Sequence, residues 1–276
     1  MCNGGELELN VQSHPAMQNA FRTFLAILLA HLLADFPLQT DSIALGKKNR
    51  KLPYFKHGAI HFIVLIALLL IFTSTPLWSG PVQLLIVAYI AFHVGLDFLK
   101  NRLVDRKIFG DSTGLFLLDQ AFHLATIVAL TWAFTKYRWS DVKAAIGWSE
   151  AEQLHMLTVA VLYVAVIFGG GYLVRYLTRS LTLQLPDTKG ENAAELRNAG
   201  LYIGWLERFL VLTAVLVQSP AMIGLILTGK SIARLPELKG PRFAEYFLIG
   251  TLLSISLALL GGIVLSRLLF GTVTFR

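Results

Sequence analysis

The sequence predicts an all-α protein, a polytopic transmembrane helical bundle of about seven to eight membrane segments. Three observations predict it. Apolar residues make up 55% of the 276 residues, and the mean hydropathy is +0.62. Charged residues are only 15%, where a soluble domain carries roughly a quarter. The apolar residues also fall in blocks, such as "HFIVLIALLLIFT", "VQLLIVAYIAF", "LATIVALTWAF", "LTVAVLYVAVIF" and "FLIGTLLSISLALLGGIVL". These blocks are apolar on every face, and a helix without a polar face has lipid or other helices as its solvent.

The blocks place membrane segments at about 20–38, 58–74, 82–100, 115–135, 154–176, 201–218, 220–235 and 245–268. The first reads as a retained helix, because no basic region precedes it and no small-residue cleavage site follows. The second follows the basic loop "GKKNRKLPYFK", which carries Lys47, Lys48, Arg50, Lys51 and Lys56 and no acid. The third follows the uncharged "STPLWSGP", the fourth the basic "KNRLVDRKIFGD", and the fifth a loop of balanced charge. "VQSPAM" separates the sixth and seventh, and Pro220 there suits a turn or the first turn of a new helix. Each half is short for a spanning helix, so one long broken helix is the alternative.

The excess of Lys and Arg puts the first and third loops in the cytoplasm. Trp78, Trp132, Trp139 and Trp148 then gather at the opposite interface as anchors. With eight segments the basic "TGKSIARLPELKG" also falls inside, and both termini lie outside. Three parts follow along the chain: a four-helix part at 20–135, a fifth helix and polar cytoplasmic linker at 136–200, and C-terminal membrane helices at 201–276. Cys2 is the single cysteine, which excludes an intrachain disulfide and a Cys-based metal site. The expected surroundings are a lipid bilayer, crossed several times. No nucleic acid is expected as a partner, and membership of a membrane-protein complex stays open.

The chemistry resides in a recurring spacing. "HLLAD" gives His31 and Asp35, "HGAIH" gives His57 and His61, "HVGLD" gives His93 and Asp97, and "DQAFH" gives Asp119 and His123. Residues four apart share one face of a helix. In the expected topology the first and third pairs close segments that run toward the cytoplasm, and the second and fourth open segments that leave it. All four pairs therefore sit at one depth. An aspartate at the bilayer centre costs roughly +2.5 to +3.5 kcal/mol, which makes intramembrane ionisable groups functional candidates.

Imidazoles and carboxylates together suit zinc, manganese or iron. His31, Asp35, His57, His61, His93, Asp97, Asp119 and His123 are more groups than one tetrahedral ion needs, so a dinuclear site or one ion with outer hydrogen bonds is expected. Asp35, Asp97 or Asp119 can serve as general base instead of ligand. The bland reading is an interhelical hydrogen-bond network without metal. Gln39 and Gln120 lie beside the pairs, where helix-end hydrogen bonding competes with substrate orientation. The cations at 47–56 fix topology and touch anionic lipid, or steer an anionic headgroup or phosphate to the site. A second charged set, Glu207, Arg208, Lys230, Arg234 and Glu245, is expected to form structural ion pairs.

"HLLADFPLQTD", "HGAIH", "HVGLDFLK" and "LLDQAFH", with "GWLERFL", "GKSIARLPE" and "EYFLIGTLLS", resemble the bacterial integral membrane family named domain of unknown function 3307. The resemblance covers about 24–130 and 200–258 and implies no reaction. The pairs are also similar, in pattern, to small bacterial proteins described as membrane-bound metal-dependent hydrolases. The leading functional expectation is metal-assisted hydrolysis of a lipid-linked or membrane-soluble substrate. A transporter or proton- or cation-binding protein is the rival, and a non-catalytic subunit of a membrane complex the second.

Overall fold

The structure, a computed structural model, describes residues 15–47, 50–73, 75–135, 149–182 and 192–271. Among them every regular element is helical. The chain divides into two compact units, Met1–Leu157 and Thr158–Arg276.

The first unit holds α1 (Pro15–Asp35), the short α2 (Asp41–Gly46), α3 (Leu52–Phe72), α4 (Gly80–Asp105) and α5 (Thr113–Thr135). α6 (Glu150–Val164) begins here and carries the chain onward. α1 packs on α3 and α5, α3 on α4, and α4 on α5, which closes a four-helix ring. α3 begins at Leu52, ahead of the expected 58, because Pro53 sits in its first turn, where a missing N–H costs nothing. Lys56 and His57 are therefore helical. Gly58 lets α4 approach closely: a Cβ there would lie 3.3 Å from a Val94 methyl.

The unit is apolar outside and polar inside. Phe62, Ile63 and Leu70 on α3, Leu84, Val87 and Phe92 on α4, and Leu118, Phe122 and Val128 on α5 are exposed. The histidines of the same helices are buried. A helix face this apolar on the outside belongs against hydrocarbon. Within the ring, Ile27, Leu65, Leu69, Ile86, Tyr89, Ile127 and Leu130 form an apolar core. The residues of this core precede the histidines on α1 and α4 and follow them on α3 and α5. The histidine layer thus lies between the core and the end where α1 stops and α3 starts. Trp78 and Trp132, both exposed, lie toward the other end of the ring. Trp139, Trp148, Lys48, His14 and the middle of the expected polar linker lie outside the described residues.

The second unit holds the end of α6, a π-helical turn (Ala165–Gly169), α7 (Gly170–Leu177), α8 (Arg179–Thr182), α9 (Asn192–Leu216), α10 (Pro220–Ala233) and α11 (Pro241–Phe270). α9 packs on α10 and α11, and the π turn packs on α9 and α11. α9 and α10 are separate helices. The chain turns at Gln218, whose φ is 56°, and Pro220 opens α10. At 14 residues α10 is about 21 Å long, shorter than a hydrocarbon core of roughly 30 Å.

Among the described residues, five helical stretches are long and apolar enough to cross a membrane: Leu52–Phe72, Gly80–Asp105, Thr113–Phe134, Ala151–Leu177 and Pro241–Phe270. The expected total of seven or eight goes beyond these five.

Candidate metal centre

Each of α1, α3, α4 and α5 delivers its pair by helical periodicity, and the ring turns all four pairs inward. His31, His57, His61, His93, Asp97, Asp119 and His123 are buried, and Asp35 nearly so. The rings of His93 and His61 lie tilted at 41° with centroids 3.9 Å apart, and those of His93 and His123 at 38° and 4.2 Å. All eight expected residues therefore meet in one layer.

The carboxylates organise this layer. Asp35 Oδ1 lies 2.8 Å from His61 Nε2, 3.2 Å from His93 Nε2 and 3.3 Å from His57 Nε2. Its Oδ2 lies 3.6 Å from His31 Nε2. Asp97 faces two ways: Oδ2 lies 3.3 Å from His57 Nε2 and Oδ1 lies 3.6 Å from His123 Nε2. Asp119 Oδ1 stands 3.5 Å from the same His123 nitrogen. Every imidazole thus presents Nε2 to the centre.

Most of these separations are long for hydrogen bonds, whose N···O range is about 2.7–3.2 Å. Only His61 to Asp35 sits well inside that range. His123 Nε2 is buried and has no hydrogen-bond partner among the described residues, although two carboxylates stand near it. Two ligand atoms on a tetrahedral ion, with bonds of about 2.1 Å, stand about 3.4 Å apart. The contacts of 3.3–3.6 Å at His31, His57 and His123 match that spacing. Among the described residues, three groups have the residue types and proximity that could hold a metal ion: His31, Asp35, His61 and His93; His57, His93 and Asp97; and Asp97, Asp119 and His123.

Two lysines enter the same layer. Lys47 is buried and donates to Asp97 Oδ2 at 2.5 Å and to Gln39 Oε1 at 3.2 Å. Lys100 donates to Asp119 Oδ2 at 2.7 Å and lies 4.0 Å from Asp97 Oδ1. Gln120 also donates to Asp119, at 3.3 Å. Tyr54 and Asn101 border this end, joined by a 2.8 Å hydrogen bond from the Asn101 amide to the Tyr54 hydroxyl. Sequence reading placed Lys47 among cations that set topology or steer an anionic group, not as a partner of Asp97, and did not single out Lys100, Tyr54 or Asn101. Lys100 was detectable, since it follows Asp97 by three residues on one helix. Lys47 was not, because it reaches Asp97 only across the fold.

In the second unit, Lys230 donates to Glu207 Oε2 at 2.5 Å. Arg208 makes a different contact from the expected ion pair. Its Nε donates to the Ile167 carbonyl in the π turn at 2.9 Å and its Nη1 to Ser254 Oγ at 3.1 Å. Gly171 makes room for it, since a Cβ there would meet Arg208 Nη2 at 2.6 Å. Glu245 takes part in none of these contacts.

No curated protein and no solved structure matches the chain. The stretch 200–258, where the sequence also suggested kinship, lies outside the matched family region. Residues 23–149, which hold all eight residues of the layer, match the family described as "Protein of unknown function (DUF3307)".

Proposed function

We propose that the protein is a multi-pass protein of the bacterial inner membrane that holds two divalent transition-metal ions, zinc, manganese or iron, and hydrolyses a lipid-linked or membrane-soluble substrate with them. The observation that carries this reading is the spacing of the ligand atoms. Donors at 3.3–3.6 Å are too far apart for good hydrogen bonds and suitably placed to share an ion. A pure interhelical hydrogen-bond network would draw His123 and Asp97 closer.

His31, Asp35, His61 and His93 would supply four donors to one ion. Asp97, Asp119 and His123 supply three and leave a fourth position, the arrangement of a hydrolytic site. His57 lies between the groups, 3.3 Å from both Asp35 and Asp97. A divalent ion at the three-donor group would lower the pKa of a bound water to near 7. Asp97 or Asp119 would act as general base only in place of ligating, taking a proton from that water and returning it to the leaving oxygen. Lys100, whose side chain is 29% exposed, marks the side from which substrate reaches the layer.

A second reading has its own support. Asp35, His57, Asp97, His123, Asp119 and Lys100 form a continuous file with steps of 2.7–3.6 Å, suited to passing protons or cations. Metal analysis of the purified full-length protein separates the two. Hydrolysis requires one or two bound transition-metal ions and product release that stops when the metal is removed. Protein that stays folded, holds no metal and takes up none of zinc, manganese or ferrous ion leaves the proton or cation path.

A further inference from the structure

We infer that the three-donor group binds its ion together with a phosphoryl group, so that the substrate is a phosphate ester and not a neutral ester or amide. The inference rests on the two-ion reading above and follows from the charges around it.

Among the described residues, three carboxylates and two ammonium groups occupy the layer, and with neutral histidines they sum to one negative charge. One divalent ion turns this into one positive charge, and a second ion into three. Uncompensated charge in a buried intramembrane site is costly, so the second ion needs an anion beside it. A hydroxide or a carboxylate removes a single charge. A phosphoryl dianion removes two and offers three oxygens, enough to touch the ion and both ammonium groups.

The lysines are placed unevenly, and this locates the anion. Lys47 sits on Asp97, and Lys100 sits on Asp119 and near Asp97. No lysine contacts Asp35 or the histidines of the four-donor group among the described residues. A lysine on a ligand carboxylate competes with a metal ion for the same oxygens. That competition weakens the second ion and spares the first. A phosphoryl group that engages both ammonium groups frees Asp97 and Asp119 for the ion. Anion and second ion then assist each other's binding, and to the same extent.

The test is a manganese titration of the full-length protein in phosphatidylcholine nanodiscs, read by bound-ion stoichiometry. It is run alone, with inorganic phosphate, and in nanodiscs containing phosphatidic acid. The expected result is one tight ion in every arm and a second whose affinity rises roughly tenfold with a phosphoryl probe. A rise with inorganic phosphate assigns the group to a soluble ester, and a rise with phosphatidic acid alone assigns it to a lipid headgroup. Lys100→Met should bind the second ion more tightly than wild type without phosphate and respond less to it. Lys100→Arg, which keeps the charge and controls for misfolding, should still respond. A merely structural lysine predicts the reverse, with Lys100→Met losing metal in every arm. Two ions held equally with and without either probe overturn this inference alone. Absence of any bound ion overturns the two-ion reading as well.

Discussion

At the scale of single residues, His123 and His61 report on different parts of the centre. His123 Nε2 faces Asp97 and Asp119, while His61 Nε2 faces Asp35. His123→Ala should therefore lose one ion and hydrolytic turnover and keep the other ion. His61→Ala should loosen the ion held with His31 and His93. His155, exposed on α6, should change neither when replaced by alanine. Metal content per protein, measured for the three variants side by side, checks this. Equal losses in all three would mean that the imidazoles act through overall stability. The same scale shows where sequence reading stops. Spacing of four residues is visible in a string, so the pairs could be named. Which oxygen of Asp97 meets which nitrogen depends on four helices at once.

At the scale of elements, the alternating direction of α1, α3, α4 and α5 brings two C-terminal halves and two N-terminal halves to one level. The loop charges assign a side to that level. Arg50 lies just before α3, at the end nearer the histidines, and Ser79 lies at the other end, before α4. A cysteine at Arg50 should react with a membrane-impermeant thiol reagent only after cells are opened. A cysteine at Ser79 should react in intact spheroplasts. The opposite labelling would reverse the proposed orientation. The π turn of the second unit is an element that periodicity did not foretell. Arg208 satisfies its Ile167 carbonyl, and the pattern "GWLERFL" shows the arginine without showing that partner.

At the scale of the whole molecule, a bound ion would link metal binding to folding, because the four ring helices all contribute candidate donors. An ion that binds only the folded state at 100 times its Kd adds about 2.7 kcal/mol to stability. Added zinc or manganese should therefore raise the unfolding temperature of the detergent-solubilised protein. The gain should shrink as pH falls through roughly 7 to 5, because protons compete with the ion for imidazole nitrogen. The sign is definite: fewer protons, more metal, more stability. A thermal shift that is independent of pH across that window would place the ion on carboxylates alone.

The sequence by itself determined the solvent of this protein and the residue types of its centre. Blocks apolar on every face require hydrocarbon or other helices around them, and helical periodicity obliges residues four apart to share a face. Basic and uncharged loops in alternation placed the four pairs at one depth before any contact was known. The tertiary structure decided what periodicity cannot encode. It closed α1, α3, α4 and α5 into a ring, turned every Nε2 toward the carboxylates, and set them at separations suited to an ion. It also brought Lys47 to Asp97, fifty positions away in the chain, and Arg208 to the π turn. These contacts arise from how helices pack against one another, and packing is a property of all the helices together.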